Sequence, residues 1–153
     1  MLYLIRHAHA VTAAEDPARP LSRSGRKQVK VLGRYLRRLG IDQPEAIWHS
    51  PLVRSAETAE RLKRHWGLAV PLTLTVGLEP DDDLWRVVRR LRDLDQTVAL
   101  VGHEPHLSAL ASRLLAGRAA PVCFIFKKSA VLALEGGPTR WRVRWHLSPE
   151  VIA

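Results

Sequence analysis

The stretch LYLIRH, residues 2–7, opens with four apolar side chains and ends on an adjacent arginine and histidine. Such a run of apolar residues predicts a strand buried on both faces, as in a parallel sheet that helices cover. The stretch TVALVGH, residues 97–103, has a similar form and also ends on a histidine. Because ligands bind beyond the carboxyl ends of parallel strands, we expect His7 and His103 to meet at one edge of the sheet.

The rest of the chain alternates short apolar runs with segments of helical periodicity. We predict helices over 26–39, 51–66, 83–94 and 105–116, and strands over 2–5, 46–48, 72–76, 97–101, 122–126, 130–135 and 140–147. Ser50 and Pro51 suit the N-cap and the first position of the second helix. The alternation predicts an α/β fold, a three-layer α/β/α sandwich whose mostly parallel sheet has an antiparallel edge, in one domain over 1–153.

The last predicted strand has a strictly alternating pattern. Its apolar residues are separated by basic ones, which is typical of a strand with one wet face near a sheet edge. A GGP turn at 136–138 precedes it. The residues expected on the apolar face are Trp141, Val143, Trp145 and Leu147.

The composition is that of a folded protein with a strong basic excess. The chain has 24 Lys and Arg against 15 Asp and Glu, a net charge of +9, which favours phosphate compounds, acidic proteins or nucleic acid as partners. The single cysteine, Cys123, lies in an apolar run, which predicts a buried thiol and fits a reducing compartment. The N-terminal apolar run is cut off at Arg6, too short for a signal or a membrane span, so we expect a cytoplasmic protein.

Four side chains are expected to converge on an anion. Arg54 lies in the opening turn of the second helix, where the dipole and free N–H groups favour negative charge. Arg6 adds a second bidentate cation and His103 a further hydrogen bond. This set suits phosphoryl transfer, in which three equatorial oxygens carry charge. A neutral His7 would attack phosphorus and form a phosphohistidine that water hydrolyses, with no metal or cofactor.

Three motifs in this order resemble those of the histidine phosphatase superfamily, whose fold is phosphoglycerate-mutase-like. They are RHA at 6–8, SPxxR at 50–54 and GH at 102–103. The runs DPARPLSRSG at 16–25 and VGHEP at 101–105, together with the short chain, are similar to SixA-type phosphohistidine phosphatases. The resemblance implies that His7 is the phosphorylated nucleophile and that Arg6, Arg54 and His103 bind phosphate. It implies a metal-independent phosphatase of protein phosphohistidine; a small phosphomonoester or a pyrophosphate-type compound is the alternative substrate.

Two departures from mutase-like members bear on the substrate. Those members carry an asparagine six residues after the nucleophile, where this chain has Ala13, and they carry long insertions, so a sugar-phosphate mutase is not expected. They also use a glutamate as general acid, which SixA-type enzymes generally lack. Glu79 lies in about the right region and is the candidate acid. A phosphoramidate needs less help than an alkoxide, since its nitrogen leaves readily once protonated.

The remaining polar residues have weaker signals. His9 with His7, and His106 with His103, have metal-ligand spacings, but no cysteine or paired carboxylate completes a site, so no metal is predicted. His9 and Ser22 are candidate residues of the pocket rim, and Ser22 also suits the N-cap of the first helix. Lys127 and Lys128 are expected at the solvent-exposed end of a strand, although they could instead border a substrate groove.

Two other classes of function remain open at this point. The basic charge and five tryptophans would suit a nucleic-acid-binding module, although no recognition motif supports one. A binding-only pseudoenzyme would hold phosphorylated partners, but all four pocket residues of an active enzyme are present. We expect a phosphorylated protein or a small phosphate compound as partner, no nucleic acid or membrane, and a monomer or weak dimer.

Overall fold

A computed structural model describes residues 1–137 and 139–152 and contains one six-stranded sheet. The strands are β1 (Leu2–Arg6), β2 (Ala46–His49), β3 (Leu72–Leu74), β4 (Val98–Gly102), β5 (Val131–Gly136) and β6 (Trp141–Leu147). Their order across the sheet is β3-β2-β4-β1-β5-β6. The first four in that order are parallel, whereas β5 runs antiparallel to β1 and β6 antiparallel to β5. The predicted α/β fold with an antiparallel edge is confirmed.

Four helices cover the sheet in two layers. They are α1 (Arg23–Leu39), α2 (Val53–Trp66), α3 (Leu84–Arg92) and α4 (His106–Ala116), and a short 3-10 helix, Pro149–Val151, follows β6. Side chains of α1 and α2 pack on one face of the sheet, and those of α3 and α4 pack on the other. This confirms the three-layer arrangement. Among the described helices, none is long and apolar enough to cross a lipid bilayer.

Of the four α-helices, α1 and α3 begin at a residue whose side chain accepts from a backbone N–H of the first turn, whereas α2 and α4 have no such cap. The Ser22 hydroxyl accepts from the backbone N–H of Gly25 at 3.1 Å, so the predicted N-cap of α1 is confirmed. The predicted cap of α2 is wrong, because that helix begins at Val53 with Leu52 at the N-cap. The Ser50 hydroxyl instead lies 2.6 Å from a nitrogen of His103.

The predicted strand over 122–126 is wrong. Both edges of β1 are already paired, with β4 and β5, and this segment lies outside the sheet as a connection between α4 and β5. Only Phe126 of the run is buried, and Ile125 is 74% exposed. Cys123 is also exposed, so the prediction of a buried thiol is wrong for the same reason.

The single apolar face predicted for β6 is also wrong, although its position at the sheet edge is confirmed. A register shift opposite Ala133 and Leu134 inserts one extra residue into β6. A one-residue slip sends the following side chains to the other face. Trp141 therefore packs with the α3 and α4 side, and Trp145 with the α1 and α2 side. Pro138 of the predicted turn lies outside the described residues.

Candidate active site

The register between β1 and β4 brings the two predicted histidines together. Arg6 pairs with Gly102, so His7 and His103 each follow directly at the carboxyl edge of the sheet. The backbone N–H of His7 donates to the Gly102 carbonyl at 3.0 Å. The ring centroids of the two histidines are 4.9 Å apart, and both side chains are buried.

The His7 ring is held by a hydrogen bond from one nitrogen. Its Nδ1 lies 2.7 Å from the backbone carbonyl oxygen of Ala8. A carbonyl can only accept, so Nδ1 carries the proton and Nε2 presents a lone pair. Burial, reinforced by the charge of Lys128, lowers the pKa of His7 to about 2. The ring is therefore neutral and nucleophilic at Nε2 throughout the physiological pH range.

The His103 ring is oriented by Ser50. Its Nε2 lies 2.6 Å from the Ser50 hydroxyl, and that hydroxyl also accepts from the backbone N–H of Leu52 at 3.3 Å. If the one hydroxyl proton points to Nε2, Nδ1 carries the ring proton. Among the described residues, Nδ1 is buried with no hydrogen-bond partner. Burial, followed by the charge of Arg54, lowers the pKa of His103 to about 3, so the ring is a neutral donor.

Two arginines complete what we call the His7 pocket, formed by Arg6, His7, Arg54 and His103. Arg6 ends β1 and donates from Nη1 to the Phe126 carbonyl at 2.6 Å. Arg54 lies in the first turn of α2. In the described part of the chain, the Nε atoms of both arginines are buried without a partner. Burial lowers the pKa of both guanidinium groups, which an anion between them would relieve.

Two further residues lie beside the histidines: Lys128, for which the sequence favoured a solvent-exposed strand end over a substrate groove, and Ser50, which it assigned only to a helix cap. The Lys128 ammonium lies 3.5 Å from Nε2 of His7, and the side chain is half-buried. One signal could have identified it. An antiparallel strand begins at the edge where its parallel neighbours end, so residues just before β5 lie beside the end of β1. The backbone N–H of Ser129 indeed donates to the Arg6 carbonyl at 3.1 Å.

The other predicted site residues lie outside this cluster of contacts. Glu79 is in the loop before α3, where its backbone N–H donates to the carboxylate of Asp82 at 2.9 Å. No hydrogen bond between described residues joins the Glu79 carboxylate to the His7 pocket. His9 is exposed, and its Nδ1 lies 2.8 Å from the Ser22 hydroxyl. The acid role of Glu79 and the rim roles of His9 and Ser22 stay predictions.

The arrangement presents positive charge and hydrogen-bond donors around one unprotonated nucleophilic nitrogen. A dianionic phosphoryl group bound at His7 would lie near two guanidinium groups, an ammonium and a neutral imidazole donor, which matches the charge on its equatorial oxygens. Across 1–137 and 139–152 there is no group of three or more His, Cys, Asp and Glu side chains that could hold a metal ion.

Known proteins share both sequence motifs and fold with this chain. The family model of the histidine phosphatase superfamily (branch 1) matches residues 2–79, which is 78 of the 153 residues. The matched range includes Arg6, His7 and Arg54. No curated protein matches the chain.

Solved structures of similar fold cover nearly the whole chain. The protein histidine phosphatase SixA, in complex with tungstate, is 24% identical over 99% of both chains, with a TM-score of 0.87. An Agrobacterium tumefaciens protein assigned as a phosphohistidine phosphatase SixA is 21% identical over 97% of both chains, with a TM-score of 0.78. A mycobacterial glucosyl-3-phosphoglycerate phosphatase is 20% identical over 94% of this chain and 96% of that one, with a TM-score of 0.67.

Proposed function

Because this chain belongs to the histidine phosphatase superfamily, we propose that it is a phosphatase that works through a covalent phosphohistidine on His7. The observation that carries the proposal is the orientation of His7. Its Nδ1 is committed to the Ala8 carbonyl at 2.7 Å, which leaves the Nε2 lone pair for phosphorus.

In the first step, the Nε2 lone pair of His7 forms a bond to phosphorus. The bond between phosphorus and the leaving atom breaks, and its electron pair stays on that atom. Arg6 and Arg54 hold equatorial oxygens, and the Nδ1 proton of His103 donates to another. The Nδ1 proton of His7 remains on its ring, hydrogen-bonded to the Ala8 carbonyl.

In the second step, a water oxygen attacks phosphorus on the opposite side from His7. The N–P bond breaks, its electron pair returns to Nε2, and one water proton passes to the phosphate or to solvent. Inorganic phosphate leaves, and His7 returns to the neutral form that its depressed pKa favours.

Ser50 is a positioning residue in this scheme. Its hydroxyl, 2.6 Å from Nε2 of His103, donates to that nitrogen and thereby places the ring proton on Nδ1. In the other tautomer, Nδ1 would present a lone pair to the phosphate oxygens and repel them. Ser50 thus acts on the phosphate through His103.

The substrate we propose is phosphohistidine in a protein, in a cytoplasmic setting. The observation that supports it is the fold similarity to SixA. A phosphohistidine whose second ring nitrogen is protonated leaves as neutral imidazole, so it needs no protein acid. A small phosphomonoester or a pyrophosphate-type compound is the alternative, and it would require a proton for its leaving oxygen.

The covalent step is tested by trapping. Wild-type protein mixed with a radiolabelled phosphohistidine protein and quenched in alkali is expected to carry label on His7, because phosphohistidine survives alkali. The His7→Ala variant is expected to carry no label and to lose turnover by about 10⁵-fold or more, the scale of losing a covalent nucleophile. The His65→Gln variant, altered in the last turn of α2, is the control. Full turnover by His7→Ala would overturn the mechanism.

The choice of substrate is tested by comparing kcat/KM for a phosphohistidine protein, an alkyl phosphate, an aryl phosphate and inorganic polyphosphate. We expect the phosphohistidine protein to be preferred and Glu79→Gln to leave that rate unchanged. If Glu79→Gln abolished only the alkyl phosphate activity, Glu79 would be the acid for that class of substrate. A preference for the alkyl phosphate would contradict the proposed substrate.

A further inference from the structure

Lys128 is a cation that lies beside the nucleophile but is not one of the four residues of the His7 pocket. Its Nζ lies 3.5 Å from Nε2 of His7, the atom that would bond to phosphorus. Its neighbour Lys127 is exposed. Two adjacent lysines thus differ sharply in environment.

The backbone holds Lys128 in this position through the next residue. The N–H of Ser129 donates to the carbonyl of Arg6 at 3.1 Å, which ties the loop to the end of β1. Ser129 has a φ of 63°, in the left-handed region that non-glycine residues seldom adopt. The turn closes with a bond from the N–H of Ala130 to the carbonyl of Lys127 at 2.9 Å. An uncommon conformation fixed by these contacts is typical of a functional loop.

We propose that Lys128 is a further phosphate-binding residue, whose ammonium holds one equatorial oxygen of the phosphoryl group that moves to and from His7. The inference rests on the proposed function. An oxygen on phosphorus bonded to Nε2 projects sideways from the N–P axis, within reach of a donor beside that nitrogen. Lys128 lies on the nucleophile's side of the phosphorus, so it contacts an equatorial oxygen and does not protonate the leaving group opposite.

The charges around Lys128 make its ammonium dependent on a bound anion. The groups that face it are cationic or neutral: Arg6, Arg19, Arg54, His7 and His103. Burial, followed by the charges of the three arginines, lowers the pKa of Lys128 to about 8. A phosphate dianion in the pocket would favour the protonated form. In the free enzyme, Lys128 is therefore expected to lose its proton as the pH rises above about 8, and neutral Lys128 would bind phosphate less tightly.

The test compares Lys128→Met, Lys128→Arg and Lys127→Met with wild type in two assays. We expect Lys128→Met to lower kcat/KM by about 10- to 100-fold, the scale of one hydrogen bond to a charged group. We expect it to weaken the binding of tungstate, a phosphate mimic, by a similar factor. Lys127→Met should match wild type in both assays.

The pH profile separates this role from a merely structural one. In wild type, kcat/KM is expected to fall above about pH 8, because the free enzyme then loses the Lys128 proton. Lys128→Arg should retain most of the activity and lack this basic limb, since arginine stays protonated. Wild-type-like melting of each variant would establish that the variants fold.

The outcomes for the two proposals are distinct. If wild type labels His7 but Lys128→Met equals Lys127→Met in turnover and tungstate binding, Lys128 has no role and the phosphatase mechanism stands. If wild type forms no phosphohistidine, the phosphatase mechanism is wrong. In that case, tungstate calorimetry still tests whether Lys128 binds the anion, because anion binding requires no turnover. Equal tungstate affinities for the two methionine variants would then overturn it.

Discussion

Two neighbouring regions of the site differ in how their buried polar atoms are paired. The Ser55 and Thr58 hydroxyls of α2 have hydrogen-bond partners for both donation and acceptance, whereas several nitrogen atoms of the His7 pocket have none among the described residues. Ser55 and Thr58 are fully buried, and each hydroxyl both donates and accepts a hydrogen bond. In the pocket, two guanidinium Nε atoms and Nδ1 of His103 are buried with no partner among the described residues. Buried polar groups are nearly always paired, so each exception needs a reason.

The bonds of the two hydroxyls show what full pairing achieves. Ser55 accepts from the N–H of Ser50 at 3.1 Å and donates to the carbonyl of Val101 at 2.8 Å, which joins α2 to β4. Thr58 accepts from the N–H of Ala8 at 3.1 Å, which fixes the chain just after the nucleophile. Ser55 and Thr58 thus stabilise the fold around the site, whereas the pocket keeps three buried nitrogen atoms without a partner among the described residues. Variants in the two regions should therefore separate activity from stability.

Among the variants that compare the two regions, Arg54→Ala in the pocket is expected to have the largest effect. It should lower kcat/KM by about 100- to 1,000-fold, as when one donor to a transition-state oxyanion is removed. The free energy of unfolding should stay within about 1 kcal/mol of wild type, because Nε of Arg54 has no partner to lose and the nearby Arg19 repels it. Steady-state kinetics and urea unfolding on one preparation measure both. A variant that failed to fold would break the distinction between the two regions.

Ser55→Ala is expected to lower stability and to leave activity nearly unchanged. Loss of its hydroxyl leaves two buried backbone groups, the Ser50 N–H and the Val101 carbonyl, without this partner. The free energy of unfolding should fall by about 1–3 kcal/mol, seen as a lower urea midpoint, while kcat/KM of the folded protein stays within a few-fold of wild type. Thr139→Ala, which removes an exposed hydroxyl, should change neither quantity. An activity loss as large as that of Arg54→Ala would contradict a purely structural role for Ser55.

Ser50 contacts both regions, through Ser55 and through His103, and Ser50→Ala should lower activity less than Arg54→Ala does. We expect about a tenfold loss in kcat, because the ring proton of His103 is no longer directed to Nδ1 and only part of the population can donate to phosphate. Nitrogen NMR of the His103 ring should report the Nδ1-protonated tautomer in wild type and a mixture in the variant. An unchanged tautomer would show that Ser50 does not set it.

The pocket should also make the stability of the protein depend on pH. Folding lowers the pKa of His7 from its ordinary 6.5 to about 2, so below pH 6.5 the unfolded chain binds the extra proton. The free energy of unfolding should fall as the pH drops below 6.5, by up to about 1.4 kcal/mol per pH unit for this group. Urea unfolding at several pH values should give a shallower slope for His7→Gln. Ser55→Ala should shift the curve down without changing its slope, and parallel curves for all three proteins would contradict this prediction.

The sequence by itself determined the elements that rest on local patterns. Apolar runs and helical periodicity predicted β1, β4 and all four helices to within a few residues. An element buried on one or both faces needs apolar side chains at fixed spacings, and those spacings can be recognised in the sequence. The position of His7 and His103 directly after buried parallel strands predicted that they would meet. That inference needed only the general geometry of parallel sheets.

Tertiary structure alone decided the features that depend on which strand pairs with which. The run at 122–126 has the composition of a strand, but β1 already had both its neighbours. The extra residue in β6 divided Trp141 and Trp145 between the two cores, which a perfect alternation could not reveal. Lys128 looked like a wet strand end for the same reason. Its distance from His7 follows from the pairing of β5 with β1, a contact between residues more than a hundred positions apart that no local pattern encodes.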